Sequence, residues 1–293
     1  MSAIDAAARP RTWIGVVVAL AAAASFSLAN TAASIAEGGG SSPLTISAIR
    51  FLVPAAALVI WLRQSGVSLA MPRRAALVSI AMGVVTALYT WALLRSFGLM
   101  PFALAVLIFY LFPLMAAVIV AALGFEKFSW RTGAAIIVAL VGLALALKVQ
   151  GGGFAPAGLL LALFSAFGLA IVVVVSSRVF GSGDARPMTM YMAASASALL
   201  FIICAVTGDF ALPQSSAAWL GFIASSAIYA FAMIAFYIAV SMIGPVLSSI
   251  LSYADAVISA CLGVIVLDQS LTAVQIAGIA LVIVALVGAT IQR

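Results

Sequence analysis

Residues 113–126 read PLMAAVIVAALGFE, and 143 positions further on residues 256–269 read AVISACLGVIVLDQ. Both are unbroken apolar runs that close on a short polar stretch, and neither alternates as a half-buried strand does. With their flanks each grows to a block of about twenty apolar residues, the length a helix rising 1.5 Å per residue needs to cross hydrocarbon. Working outward from this pair, blocks of the same kind fall at 13–35, 43–63, 75–97, 101–123, 131–149, 154–176, 187–208, 217–240, 245–266 and 272–291. Gly, Pro, Ser and charged residues separate them.

Composition agrees: 67% of the 293 residues are hydrophobic and 7% charged, against roughly a quarter charged in a soluble domain. Outer-membrane barrels are excluded, because they show short alternating strands. The first block is of full spanning length and others follow it, which is unlike a cleaved signal peptide. Cys204 and Cys261 both fall inside spans, an unfavourable place for a structural disulfide or a metal.

The net charge of +6 is distributed by topology. With the N-terminus inside, Arg9, Arg11, Arg63, Arg73, Arg74, Lys127, Arg131, Arg178, Arg186 and Arg293 gather on the cytoplasmic side, against Lys148 and Arg95 opposite. That bias places both termini in the cytoplasm of a bacterial inner membrane and removes the need for a nucleic-acid partner.

The offset of about 143 recurs. Gly15-Val-Val-Val-Ala19-Leu20 meets Gly158-Leu-Leu-Leu-Ala162-Leu163, Pro43-Leu-Thr45-Ile meets Pro187-Met-Thr189-Met, and Thr86 meets Tyr229. Two halves follow, residues 1–150 and 151–293, joined through Gly151-Gly152-Gly153. Five spans per half is an odd number, so the second half enters from the opposite side. The fold class is an all-α polytopic membrane protein of ten helices in a 5+5 inverted-topology repeat, an architecture of secondary transporters.

Asp255-Ala256-Val257, then Leu267-Asp268-Gln269-Ser270-Leu271-Thr272, then Gln275 and Gly278 follow a recognisable frame. The first half repeats it as Pro113-Leu114, Glu126 and Ser129, with Arg50-Phe51 in the second span. This resembles the drug/metabolite transporter superfamily, in two EamA-type units, and is most similar to aromatic amino-acid exporters of the YddG type. Ala256 for Pro, Asp268-Gln269 for Gly-Glu and Phe112 for an acid depart from the pattern and weaken any transfer of substrate. The resemblance implies export of amino acids and some aromatic cations, with no cofactor.

Polar groups inside spans point to a cavity or a packed interior. Ser248, Ser252, Asp255 and Ser259 recur at helical spacing in the ninth span, and Ser27, Asn30 and Ser34 do so in the first. Met82, Thr86 and Tyr89 share a face of the third, mirrored by Ser225, Tyr229, Met233 and Phe236 in the eighth. The fourth-span counterparts of the ninth-span stripe are Ala105, Phe109, Phe112 and Ala116, so a polar acidic wall faces an aromatic one. Such a pair suits a solute with a charged head and an apolar body. The expected lining is Asn30, Thr86, Tyr89, Phe109, Tyr229, Ser248, Ser252 and Asp255.

Each has a plain structural alternative. Ser and Thr bond back to their own helices, Arg50 snorkels or bonds carbonyls, and Trp13, Trp61, Trp130 and Trp219 read as an interfacial belt. Asp255 differs, because of the seven acids it alone lies mid-span. A carboxylate there must pair with a cation, face water or take up a proton. It is the candidate proton carrier, or else a lining group that sets polarity. No histidine is present, which removes zinc chemistry and an imidazole base for a serine nucleophile. The expectation is a carrier of amino acids or related amphiphiles in the lipid bilayer, monomeric or homodimeric. Another superfamily-type carrier, of drug cations or of nucleotide or sugar metabolites, and a facilitative uniporter stand as alternatives.

Overall fold

The computed structural model describes residues 3–125, 129–147, 155–180, 184–267 and 272–291. Twelve helices follow one another: α1 (Ala3–Gly38), α2 (Pro43–Gln64), α3 (Arg73–Phe97), α4 (Phe102–Phe109), α5 (Phe112–Ala122), α6 (Trp130–Ala146), α7 (Pro156–Phe180), α8 (Ala185–Thr207), α9 (Ser216–Ile243), α10 (Pro245–Leu251), α11 (Tyr253–Leu267) and α12 (Ala273–Ile291). Among the described residues nine segments are long and apolar enough to cross a membrane, and Trp130–Ala146 is a shorter tenth. Glu126, Lys127, Lys148, the Gly151-Gly152-Gly153 link, Asp268 to Leu271 and Arg293 lie outside the described residues, as do the side chains of Arg9 and Arg11.

Local chemistry sets the boundaries. Ser42 caps α2 by accepting from the Thr45 N–H at 3.1 Å, with Pro43 next in the first turn. Proline there needs no N–H and arrives with a helical φ. Ser215 caps α9 in the same way through Ala218 N–H. Between α9 and α10 the chain turns at Gly244, whose φ of +80° favours glycine.

The fourth and ninth spans are each broken, which corrects the sequence reading of two continuous helices. In the fourth, Pro113 cannot donate to the Phe109 carbonyl and its ring crowds that oxygen, so α4 stops and α5 restarts. The ninth breaks at Ser252 without a proline. Ser248, Ser249 and Ser252 all turn their hydroxyls onto backbone carbonyls three or four residues back, which competes with a regular ladder. Asp255 then stands in the first turn of α11, where a carboxylate favours a helix start. Ser248 and Asp255 therefore belong to different helices.

The two halves interlock. The most extensive packing joins α1 to α9, α12 to α6, α2 to α8 and α3 to α7, and each pair takes one helix from either half. One core cluster draws on the first and fourth to sixth spans together with the eighth to tenth. A second draws on the first to third and the sixth to eighth. Phe109, Val18 and Leu169 pack against both. A close crossing joins α6 and α12: a Cβ on Gly142 would lie 2.7 Å from the Gly278 carbonyl oxygen, and one on Gly278 would lie 2.5 Å from that of Gly142. Trp13, Trp61, Trp130 and Trp219 are exposed near span ends, as an interfacial belt requires.

Candidate functional site

The two helix breaks meet. Tyr110, at the first, and Tyr253, at the second, stack with centroids 5.5 Å apart and planes at 25°. The Tyr253 hydroxyl donates to the Tyr110 carbonyl at 2.7 Å, and that of Tyr110 donates to Asp255 Oδ2 at 2.8 Å. The 143-residue offset that pairs Pro113 with Ala256 also pairs Tyr110 with Tyr253. Carrying the alignment three residues further back would have found this pair.

Asp255 is ringed by hydroxyls. Besides Tyr110, Ser27 Oγ lies 2.9 Å from Oδ1 and 2.7 Å from the Asp255 carbonyl oxygen. Ser259 Oγ lies 2.6 Å from Ser27 Oγ and 3.3 Å from Oδ1. Two serine protons thus serve four close oxygen–oxygen contacts, and a proton on Oδ1 would provide a third donor. Among the described residues the ion pair is Arg186–Asp184, at the edge of the molecule; Asp255 has no basic partner.

One turn along α1 lies a guanidinium. Arg50 of α2 donates from Nε to Ser225 Oγ at 2.7 Å, from Nη1 to Asn30 Oδ1 at 3.3 Å, and from Nη2 to the Ala29 carbonyl. Its Cζ stands 5.0 Å from the centroid of Tyr229. Tyr229 meets Phe26 and Phe51 edge to face at 5.4 and 5.5 Å. Arg50 bonds a neighbouring carbonyl, as its expected structural role requires, and also holds the side chains of Asn30 and Ser225.

The remaining expected residues divide. Phe109 sits at the first break, 6.4 Å from the ring of Tyr89 and 5.9 Å from that of Phe112. Tyr89 packs its Cβ on Gly168 of α7. Thr86 and Ser248 are fully buried and donate to Met82 and Gly244 carbonyls of their own segments. Ser252 donates to the Ser249 carbonyl at the second break. Asn30, Tyr229 and Asp255 therefore gather around α1, Tyr89 and Phe109 form an aromatic wall, and Thr86 and Ser248 turn inward on their helices.

Burial differs sharply between the two ends of this site. Val17, Leu28 and Ile35 mark the outer stripe of α1. On the opposite face Gly15, Val16, Ala19 and Ala23 are buried, whereas Asn30 and Glu37, further along that face, are exposed. At 3.6 residues per turn these are one side of one helix, so a cleft opens beside α1 away from the terminal end. The repeat-related short helices agree. All seven residues of α10 are buried, but in α4 only Ala105 and Ile108 are.

Outside the spans, Asp184 caps α8, accepting from the Arg186 N–H at 2.9 Å. The Arg186 guanidinium beside it holds its carboxyl below the usual carboxylate range.

Comparison with known proteins places this geometry. A crystal structure superposes with a TM-score of 0.81 over 95% of this chain and 96% of that one, at 23% identity, a likeness of fold. Comparison with curated proteins gives no match. The family model of EamA-like transporters matches twice, over residues 13–148 and 156–291, and so takes in nearly the whole chain as two units. This multi-pass membrane protein belongs to the EamA-like transporter family, of the drug/metabolite transporter superfamily.

Proposed function

We propose that the protein exports small amphiphilic metabolites, amino acids including aromatic ones and also aromatic cations, by alternating access between its two halves. The observation that carries this reading is Asp255, a carboxylate without a basic partner, held by three hydroxyls where two repeat-related helices are both broken. Broken helices at corresponding positions of inverted repeats are where carriers place solute and coupling ion. The buried Val16, Ala19 and Ala23 against the exposed Asn30 and Glu37 on the same side of α1 support access from one face, as a carrier requires and an open pore does not.

Asn30, Tyr229, Phe109, Tyr89 and Ser252 serve as the lining, with Thr86 and Ser248 supporting it from behind. Asp255 is the proposed proton carrier, since a proton completes the cluster around Ser27. Arg63, Arg73, Arg74, Arg131, Arg178 and Arg186 all lie toward the face that ten crossings give both termini. We assign that face to the cytoplasm of the inner membrane, which makes the cleft outward-facing.

Counterflow tests the proposal. Proteoliposomes preloaded with unlabelled L-phenylalanine, a neutral amino acid or methyl viologen should accumulate the labelled solute transiently and saturably. Uptake of any of them that rises linearly with concentration, with no acceleration by internal solute, would leave a pore instead of a carrier.

A further inference from the structure

The guanidinium of Arg50 has more hydrogen-bonding capacity than the protein uses. It carries five N–H donors, of which Nε, one on Nη1 and one on Nη2 go to Ser225, Asn30 and Ala29. One donor remains on each terminal nitrogen, the number a carboxylate takes in a two-pronged pair. No carboxylate pairs with it, since Arg186–Asp184 is the ion pair among the described residues. Glu37 and Asp255 are the acids whose charge reaches it, and neither bonds it. A cation set inside a span without an ionic partner is costly and marks a solute path by default.

Its surroundings hold it as a fixed group. The Tyr229 face lies beneath it, Phe51 backs that ring, and Ser225 fixes Nε. The position is also open, because Arg50 itself is only partly covered and Asn30, which accepts from Nη1, is exposed on the cleft side of α1. Phe26 and Tyr229 are themselves only partly covered and offer an aromatic surface next to the charge.

We infer that Arg50 is the subsite for the carboxylate of the transported solute, which makes a carboxylate-bearing amphiphile the preferred cargo over a bare aromatic cation. The inference rests on the proposed transport of amphiphiles and names their charged head. The solute's carboxylate sits on Nη1 and Nη2, its aromatic body lies along Phe26 and Tyr229, and its ammonium points toward Asp255. Ser27, which binds Asp255, is three residues from Asn30 on the same helix, a rise of about 4.5 Å.

L-Phenylalanine, L-phenylalaninamide and 2-phenylethylamine share the ring and the amine, and the last two lack the carboxylate. Wild-type proteoliposomes should show counterflow of labelled L-phenylalanine that is competed by unlabelled L-phenylalanine at about ten- to hundredfold lower concentration than by either carboxylate-free analogue, the ratio one charged hydrogen-bonded pair confers. Arg50→Gln should bring the three to parity by weakening L-phenylalanine alone, and Arg50→Lys should restore part of the preference. Equal competition by L-phenylalanine and its amide in the wild type overturns the inference without any variant, so a poorly folding Arg50→Gln does not shield it. An undiminished preference in folded Arg50→Gln overturns it equally. Absence of saturable counterflow of any probe in the wild type instead rejects the transport reading beneath it.

Discussion

Tyr253→Phe removes one oxygen from a fully buried side chain and leaves its ring on Tyr110. The lost hydroxyl is the donor to the Tyr110 carbonyl. That carbonyl falls at the end of α4, where no backbone N–H among the described residues reaches it, so the variant leaves a buried acceptor without a partner. An orphaned buried group costs about 1–3 kcal/mol, whereas single polar contacts between membrane helices average about 0.6 kcal/mol with a maximum near 1.7. The absence of a second donor moves the expectation to the upper end of the membrane range, about 1–2 kcal/mol. Unfolding by SDS in mixed micelles, followed by circular dichroism, reads it as a lower midpoint at unchanged slope. A coupling test sharpens the expectation. Pro113→Ala lets the fourth span straighten and the Leu114 N–H return to the Tyr110 carbonyl, so Tyr253→Phe in that background should cost less than half as much. A variant within about 0.3 kcal/mol of wild type, or an equal cost in both backgrounds, refutes the assignment of this bond as the tie between the two breaks.

Gly142→Leu should lose at least about 2 kcal/mol of stability and much of the monodisperse yield, because its Cβ meets Gly278 backbone that cannot move aside; Gly38→Ala, with nothing within 4 Å, should be neutral or slightly stabilising. For Asp184 the depressed native pKa means that its stabilisation is present above the ordinary carboxylate range, near pH 4, and is lost as pH falls through the lower native value. Wild type should therefore exceed Asp184→Asn by less than about 1 kcal/mol at pH 7, given the pair's exposure, and the two should converge in a thermal-shift series as pH falls below the ordinary carboxylate range. Asp255→Asn keeps the shape and one acceptor oxygen, facing either Ser27 or Tyr110, while removing the charge and the titration, so it should fold, lose export driven by a pH gradient and retain some downhill exchange of neutral amino acids. Undiminished pH-driven export in Asp255→Asn vesicles would remove Asp255 from proton coupling and favour a uniporter.

The helices were legible to within a few residues, and the site only in part, for one physical reason. A span is announced by twenty apolar residues in a row, a signal that no tertiary contact needs to complete; thus 43–63 and 187–208 become Pro43–Gln64 and Ala185–Thr207. A break inside a span is announced weakly or not at all. Pro113 was visible, but a proline within a membrane helix is also tolerated without a break, and Ser252 carries no comparable mark. Helical periodicity was therefore carried across Ser252 and joined Ser248 to Asp255, although the chain restarts between them. The same cause hid Tyr110 and Tyr253. Each alone reads as one more aromatic in an apolar run, and their importance lies in two broken ends meeting, a relation between residues 143 positions apart. Asp255 was conspicuous because an acid among hydrocarbon has to be accounted for, yet its partners were not: Ser27 could be placed on a polar face of the first span, but not against α11. Arg50 is the reverse case. Its depth in the second span invited a structural explanation, and its bond to the Ala29 carbonyl supplies one. Only the count of donors left on Nη1 and Nη2, together with the exposure of Asn30 beside them, makes it a group that can also bind a solute.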